Sequence, residues 1–447
     1  SIDNAKLTIA GAVSIAQSGT TIKVLSGTYI ENNPIILPEQ VSVVGDSLRE
    51  VTITPQNSGD IFYVTNGNYV SNVSFVGAAN TGAVIAFNPS GSGNITQSPY
   101  IQNCTNFIPN SVGVRVNGAH ASGDTKSIVV DSYTQYNQGG IGVSITNNGY
   151  AQLVSLFTIC NDIAIYCGSG GACDLTNSNS SFGNYGLVAD GVSNEQYVGV
   201  ITTPATANSS TFVVAGVGTN RPFDGQIVYF DDLYYEINKI TTTNGGSNYT
   251  SAPTLTIDEP TTDWGIAAQA VTTVSNGVVT EIDIISSGRG YTTTPSITIA
   301  GGGGGSGLTL SLEIKPKYYV IQSATKPSAG ISTITITENL PYAVGVGTTV
   351  PFFKQSRILA SGHSFEYIGS GVTIATALPS TGGVSIQENE IDMRNGGLVV
   401  YTSTDQSGNF RIGDGVTINQ TTGDISGSAY TRSLYANVTP LILALGA

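Results

Sequence analysis

From Ile141 onward the chain repeats in phase. Ile141-Gly142-Val143-Ser144-Ile145 is followed 22 residues later by Ile163-Ala164-Ile165-Tyr166-Cys167, and another 22 residues bring Tyr185-Gly186-Leu187-Val188-Ala189. The second strands of these units, near 153–157 and 175–179, keep the same offset. Alternation inside each run is the period of a strand. A constant spacing of this length suits one coil of a parallel β-solenoid, whose inward residues are buried only by stacking on neighbouring coils. A β-sandwich also gives short strands between turn signals, but it requires no fixed phase. A solenoid in an all-β chain is the expectation.

The opening residues agree with it. Gly27-Thr28-Tyr29, Pro34-Ile35-Ile36-Leu37-Pro38 and Val41-Ser42-Val43-Val44-Gly45 resemble the first coils of right-handed parallel β-helix proteins of the pectin-lyase-like superfamily. Residues 1–195 then hold about eight or nine coils at roughly 4.8 Å each, a rod near 40 Å long. The spacing loosens between Gly77 and Ser127, which predicts longer loops there. Asn147-Asn148-Gly149, Asn177, Asn179 and Asn184 fall at expected turns, because Asn tolerates unusual backbone angles. Short helices are expected only near the two ends, within 4–17 and 433–445.

After about residue 195 the rhythm stops. Residues 196–240 and 316–360 read as two halves of one β domain, with Gln226-Ile227-Val228-Tyr229-Phe230 in the first and Thr333-Ile334-Thr335-Ile336 in the second. Between them, 241–315 carries a duplication. Gly245-Gly246-Ser247-Asn248-Tyr249 through Pro253-Thr254-Leu255-Thr256-Ile257 matches Ser287-Gly288-Arg289-Gly290-Tyr291 through Pro295-Ser296-Ile297-Thr298-Ile299 at a spacing of 42 residues. An insertion of two small β-units is expected. The last segment, 361–447, has short strictly alternating strands that bury too little alone, which points to burial against sister chains. Its apolar end, Pro440-Leu441-Ile442-Leu443-Ala444-Leu445, either packs into an assembly or precedes further chain.

Composition excludes several functions. Of 447 residues only 10% are charged, and 16 Lys+Arg against 30 Asp+Glu leave a net charge of −14. So few cations cannot neutralise many phosphates, which excludes nucleic acid as a partner. No run approaches a membrane span and no secretory leader is visible. The chain begins at Ser1 and its single Met is Met393, as in a processed product or part of a longer chain.

No catalytic, cofactor or metal site stands out. Cys104, Cys160, Cys167 and Cys173 match no common zinc spacing and read as small buried hydrophobes, with a Cys167–Cys173 disulfide as the alternative. Glycoside hydrolysis needs two carboxylates about 5–9 Å apart. A 22-residue register sets Asp162 opposite Asn184, Asp174 opposite Gln152, and Asp131 opposite Leu153 and Leu175, so no acidic pair emerges. Asp190 and Asp174 remain a pair that a turn could bring together. His363 and Glu366, three apart on a strand, project to opposite faces. Asp231-Asp232 reads as a solvated turn before a calcium site. Trp264, Tyr234, Tyr235, Tyr318 and Tyr319 read as packing before sugar stacking. Gly301 to Gly305 is a turn and not a phosphate loop, since no Lys-Ser/Thr follows. The Asp and Gly-His-Gly motifs of polygalacturonase-like β-helix enzymes are absent, as is a lyase-like Asp cluster with a following Arg.

Three further stretches carry a resemblance. These are Phe182-Gly183-Asn184-Tyr185-Gly186-Leu187-Val188-Ala189-Asp190-Gly191-Val192-Ser193, Gly362-His363-Ser364-Phe365-Glu366-Tyr367-Ile368-Gly369, and Gly396-Gly397 through Phe410-Arg411-Ile412-Gly413-Asp414. With the opening coils they resemble virion structural proteins of tailed phages, namely tail-fibre, spike or baseplate-appendage proteins of marine cyanobacterial myoviruses. The resemblance implies an extracellular component of the virion tail, non-enzymatic and assembled as a homotrimer. It also implies other tail proteins, and a host cell-surface glycan, as partners. The alternatives are a polysaccharide-degrading tailspike depolymerase and a bacterial surface adhesin. The 241–315 units are the expected host-contacting part.

Overall fold

The computed structural model describes residues 5–91, 95–118, 126–193, 195–218, 220, 222–223, 226–230 and 234–366, with the backbone of short strands between 372 and 426. Two compact units divide the chain: 1–199 with 222–228 and 351–401, and 200–221 with 229–350 and 402–447.

The first unit is a parallel β-helix with three columns of strands. One column runs Thr21–Val24, Ser42–Gly45, Tyr69–Ser71, Tyr100–Gln102, Ser127–Asp131, Tyr150–Val154 and the first half of Ala172–Ser181. A second runs from Gly27–Glu31 to Phe157–Ile159 and ends on the second half of Ala172–Ser181. The third runs from Ile35–Ile36 to Tyr185–Asp190 in a seven-stranded sheet. Every neighbouring pair in these columns is parallel, so each coil lends its inward side chains to a continuous stack. Ile22, Val43, Val70, Ile101, Val130, Leu153 and Leu175 lie in register along the first column. From Val43 onward each is sealed from solvent. Branched aliphatics fit this pleated interior, and each fully buried one contributes about 1.5–3 kcal/mol.

Seven coils fill residues 21–190 where eight or nine are expected. The 22-residue spacing holds steadily only over the last coils, as from Ile141 to Ile163 to Tyr185 and from Tyr150 to Ala172. Ser42, Tyr69, Tyr100 and Val129 are partners at spacings of 27, 31 and 29 residues. The two widest steps, 31 and 29 residues, fall over the segment between Gly77 and Ser127, where the looser spacing predicts longer loops. Where the first column bends into the second, Asn72, Asn103, Ser132, Ser155 and Asn177 all have φ between 48° and 57°. Asn103 Nδ2 donates to Asn72 Oδ1 at 2.8 Å, so this corner carries a side-chain ladder beside the backbone bonds. Asn147 and Asn148 are also left-handed, whereas Asn179 lies in a strand opposite Phe157. The helix at the beginning is short, Ile9–Val13. Its first amides, Ile9 and Ala10, are held by the buried carboxylate of Glu31.

The solenoid then resumes far along the chain. Arg357–Glu366 adds in parallel to Ala172–Ser181, with Cys173 opposite Ile358 and Leu175 opposite Ala360. Ile358 and Ala360 are fully buried and extend the aliphatic stack by one coil. Gly383–Gln387 pairs in parallel with 357–361, and Val372–Thr373 with Leu398–Val399, so coils of 26 residues follow. The boundary expected at 361 therefore falls inside a solenoid strand. The point where the chain leaves is tied to the point where it returns. Ser356 N donates to Gly191 O at 3.1 Å, Ser193 N to Lys354 O at 2.9 Å, and Lys354 N to Ser193 Oγ at 2.9 Å. Glycine takes the equivalent corner here: at Gly362, φ +71°, a Cβ would stand a tight 3.1 Å from Asn177 N, where the earlier coils use Asn and Ser.

The second unit is antiparallel. Thr211–Ala215, Ser332–Ile336 and Tyr319–Ala324 pair in that order. A long ribbon joins Tyr235–Ser247 to Ser306–Pro316. The duplicated segments are not separate: Pro253–Ile257 pairs with Ile297–Gly301, and Thr256 lies opposite its own repeat equivalent, Thr298. The two copies thus form one unit about a pseudo-twofold axis. Each places its tyrosine in a small core, Tyr291 with Ile237 and Ile257, Tyr249 with Leu255 and Val279. Three short antiparallel strands, Asn409–Ile412, Val416–Asn419 and Ile425–Ser426, lie towards the end. The helix expected within 433–445 falls outside the described residues.

Candidate functional site

The outward face of the first solenoid column carries a row of polar and aromatic side chains. Outward positions of adjacent coils follow the same register as the inward ones, so Tyr69, Tyr100, Val129, Gln152 and Asp174 line one file. Ser71, Gln102, Asp131 and Val154 line the next. Tyr150 stands one step aside, opposite Ser127 and Ala172. Apart from the buried Ser71, all are half-buried, as expected of side chains standing up from a sheet beside equals.

A diagonal hydrogen-bond pattern ties the row together. Tyr69 Oη donates to Gln102 Oε1 at 2.6 Å, and Tyr100 Oη donates to Asp131 Oδ2 at 3.1 Å. Tyr150 Oη donates to Asp174 Oδ2 at 2.8 Å and lies 3.1 Å from Gln152 Oε1. Gln102 Nε2 also donates to Asp131 Oδ2, at 3.0 Å, while Ser132 Oγ holds Asp131 Oδ1 at 2.9 Å. The Tyr69 and Tyr100 rings tilt against each other at 6.1 Å. Burial, with the neighbouring carboxylates, raises the hydroxyl pKa of both Tyr100 and Tyr150. The hydroxyls therefore stay protonated at neutral pH, their hydrogens directed into the carboxylates and amide oxygens.

A second feature is a cavity of about 130 Å³ lined by Asp60, Phe87, Asn88, Pro89, Arg115, Asn117 and Lys126. Arg115 Nη1 lies 2.9 and 3.1 Å from the two oxygens of Asp60, whose Oδ1 also accepts from Ala83 N at 2.7 Å. It falls short of the roughly 300 Å³ usual for a ligand pocket, and its arginine is already neutralised.

The expected residues are distributed as follows. Asn184 Nδ2 donates to Asp162 Oδ1 at 2.8 Å, and Asp174 faces Gln152, both as the 22-residue register predicts. Asp131 pairs with Val154 instead of Leu153 and Leu175, because the step from Ser127 to Tyr150 is 23 residues. That single residue keeps Asp131 on the outer face and in the row. The side chains of Asp190 and Glu366, and all of Asp231 and Asp232, lie outside the described residues. His363 is buried inside the solenoid, Nε2 3.0 Å from Ser180 Oγ, and burial pushes its pKa down to about 3. Sealed in this way, it has no access to a substrate.

Trp264 stacks on Tyr342 at 4.6 Å with Tyr234 edge-on to both, and a Cβ on Gly290 would meet its ring at 3.1 Å. Tyr319 is buried and Tyr318 packs edge-on against Tyr229. These aromatics pack the second unit. Gly301 to Gly304 all have positive φ and lead into the strand Ser306–Pro316, while a Cβ on Gly302 or Gly305 would collide with the Tyr249 ring. Cys104, Cys167 and Cys173 are core residues, and burial lifts the Cys104 thiol to about 12. Cys167 and Cys173 are free thiols with Sγ atoms 3.7 Å apart, against about 2.05 Å for a disulfide. Among the described residues no group of three His, Cys, Asp or Glu gathers around a metal position, and no helix is long and apolar enough to cross a membrane.

No family model matches the chain, and no curated protein gives a significant match. Similar solved structures include an iota-carrageenase from A. fortis, at 17% identity and a TM-score of 0.24, covering 43% of this chain and 53% of that one. The chain thus spans about half the length of that enzyme. The ORF18 protein of Geobacillus virus E2 is 9% identical with a TM-score of 0.20, covering 70% of this chain and 77% of that one. The tailspike gp49 of Acinetobacter baumannii bacteriophage Fri1, a capsular polysaccharide depolymerase, is 8% identical with a TM-score of 0.14, covering 75% and 80%. Likeness this slight carries no chemistry across. The parallel β-helix rests on the strand register of the chain itself.

Proposed function

We propose that this chain is a structural component of a phage tail, a fibre, spike or baseplate appendage, that attaches to host-surface polysaccharide without cleaving it. The sequence resemblance motivates the setting. The observation that carries the mode of action is the outer row: its carboxylates, Asp131 and Asp174, are separated by a whole coil bearing Gln152 and Val154. A glycosidase flanks one sugar bond with carboxyl groups about 5–9.5 Å apart. Here the two acids are two coils apart, about 10 Å along the axis before their offset along the strand is added. Each is held by a tyrosine hydroxyl. Such spacing suits a surface that touches successive sugars better than one that attacks a single bond. In a homotrimer three such rows act together, and weak contacts sum to firm attachment. Other tail proteins complete the assembly.

The test is competition and product analysis together. The purified chain at excess should slow phage adsorption to host cells while releasing no reducing sugar from their envelope polysaccharide. Release of oligosaccharides would establish a depolymerase instead. Light scattering should give a mass near three times 46.1 kDa; a stable monomer would remove the trimer from the proposal.

A further inference from the structure

We infer that the outer row from Tyr69 to Asp174 binds an uncharged glycan lying along the solenoid axis and rejects carboxylated and sulfated ones. The inference rests on the attachment reading above and names the ligand class of that site.

The argument begins with hydrogen-bond direction. The tyrosine hydrogens are already committed to Gln102, Asp131 and Asp174, so the half-buried Tyr69, Tyr100 and Tyr150 have only oxygen lone pairs left to offer a ligand. A carboxylate oxygen has more than one acceptor site; Asp131 Oδ2 already takes two donors, so the spare sites lie on Asp131 Oδ1 and on Asp174. The row is thus rich in acceptors and calls for a ligand rich in O–H donors, which describes a neutral sugar. Half-buried tyrosine rings add flat apolar surface for the C–H faces of pyranoses.

Charge supplies the rejection. Two carboxylates face outward in the row, in a chain of net charge −14. Among the described residues the cations on these files are Arg357, on the next coil opposite Ala172 in the file of Tyr150, and Lys23, which is paired with Asp46 at 2.8 Å. One guanidinium at the end of the row does not offset both acids for a ligand charged at every sugar. Periodicity supplies the direction: coils rise about 4.8 Å, close to the length of one pyranose, so five coils from Tyr69 to Asp174 match a short run of sugars.

The test uses the full chain and defined probes: cellohexaose, maltohexaose, mannohexaose and chitohexaose as neutral ligands, and oligogalacturonate and carrageenan hexamers as acidic ones. Titration calorimetry should show binding of at least one neutral hexaose and at least tenfold weaker binding of the acidic hexamers. Asp131→Asn/Asp174→Asn should weaken the neutral ligand about tenfold and narrow its margin over acidic ones. Tyr100→Phe and Tyr150→Phe, which keep the rings, should each weaken it several-fold, and they decide the matter if the aspartate variant does not fold. Preference for acidic hexamers, or no binding by any probe, overturns the inference. If a neutral hexaose binds but all folded variants bind it equally, the row is not the site. The adsorption assay judges attachment separately, since competition by variants with an altered row would leave that function standing.

Discussion

Two inner columns of the same solenoid are filled alike as far as Ile53 and Phe75, and by opposite means from Asn106 onward. Ile101, Val130, Leu153 and Leu175 stack along the first, whereas Asn106, Gln135, Thr158 and Ser180 occupy the equivalent inward positions of the second. All eight are buried. The aliphatic column needs only volume and shape. The polar one depends on hydrogen bonds: Asn106 Nδ2 donates to Gln135 Oε1 at 3.1 Å, Tyr133 Oη donates to the same oxygen at 2.9 Å, and Thr158 Oγ1 to Ser180 Oγ at 3.0 Å, while Gln135 Nε2 is left without an acceptor. On the coil that follows the long excursion of the chain, His363 lies opposite Ser178, one inward position aside, and meets Ser180 Oγ diagonally. Stacked coils tolerate either solution because the backbone ladder is the same. The two should fail differently when disturbed.

Acid gives the largest expected difference. The His363 pKa near 3 lies below its ordinary 6.5, so protons bind the unfolded chain more readily. The stabilisation is complete above pH 6.5 and is lost as pH falls towards 3. At about 1.36 kcal/mol per unit the full loss is on the order of 5 kcal/mol. Urea midpoints of the parent and His363→Gln should diverge between pH 7 and pH 4, with the parent falling more steeply. Parallel slopes would mean that His363 is not sealed in the column.

Next, Gln135→Ala opens space and leaves the Tyr133 hydroxyl without its acceptor, for a loss of about 4 kcal/mol. Adding Tyr133→Phe removes the orphaned hydroxyl and should restore about 1–2 kcal/mol. In the aliphatic column Leu153→Ala should cost about 3 kcal/mol, and no partner change should rescue it. Denaturant unfolding of these variants reads the contrast directly. Equal rescue in both columns would abolish it.

Much of the solenoid was legible because identical spacing between Ile141, Ile163 and Tyr185 needs no knowledge of the loops. The outer row was not. Its members are separated by steps of 31, 29, 23 and 22 residues, and one residue of error assigned Asp131 to the wrong partner. The return of the chain at Arg357 escaped for a different reason: more than 160 residues stand between Asp190 and the next coil, and periodicity carries no memory across such an interruption. Ile358 and Ala360 give only two inward residues before Gly362 turns the strand, too short a pattern to announce a coil. The duplication was plain in sequence, but its pairing was not, since a repeat states likeness and leaves open whether the copies lie apart or face each other across Thr256 and Thr298.

The smallest expected effect concerns what holds the corner between the two columns. Asn103 combines a left-handed backbone, φ 49°, with an amide bond to Asn72. Asn103→Ala loses both advantages and should cost about 1.5 kcal/mol, whereas Asn103→Gly keeps easy access to that backbone and should cost about 0.5 kcal/mol. The gap between the variants measures the backbone contribution, since both lack the amide. If Ala and Gly cost the same, the asparagine ladder sets the corner, and Ser132 and Ser155, at φ 54° and 52° on the following coils, become its weakest steps. If Gly is as stable as the parent, the ladder adds nothing. The corner is then governed by conformation alone, and the two inner columns join through a hinge indifferent to the chemistry on either side.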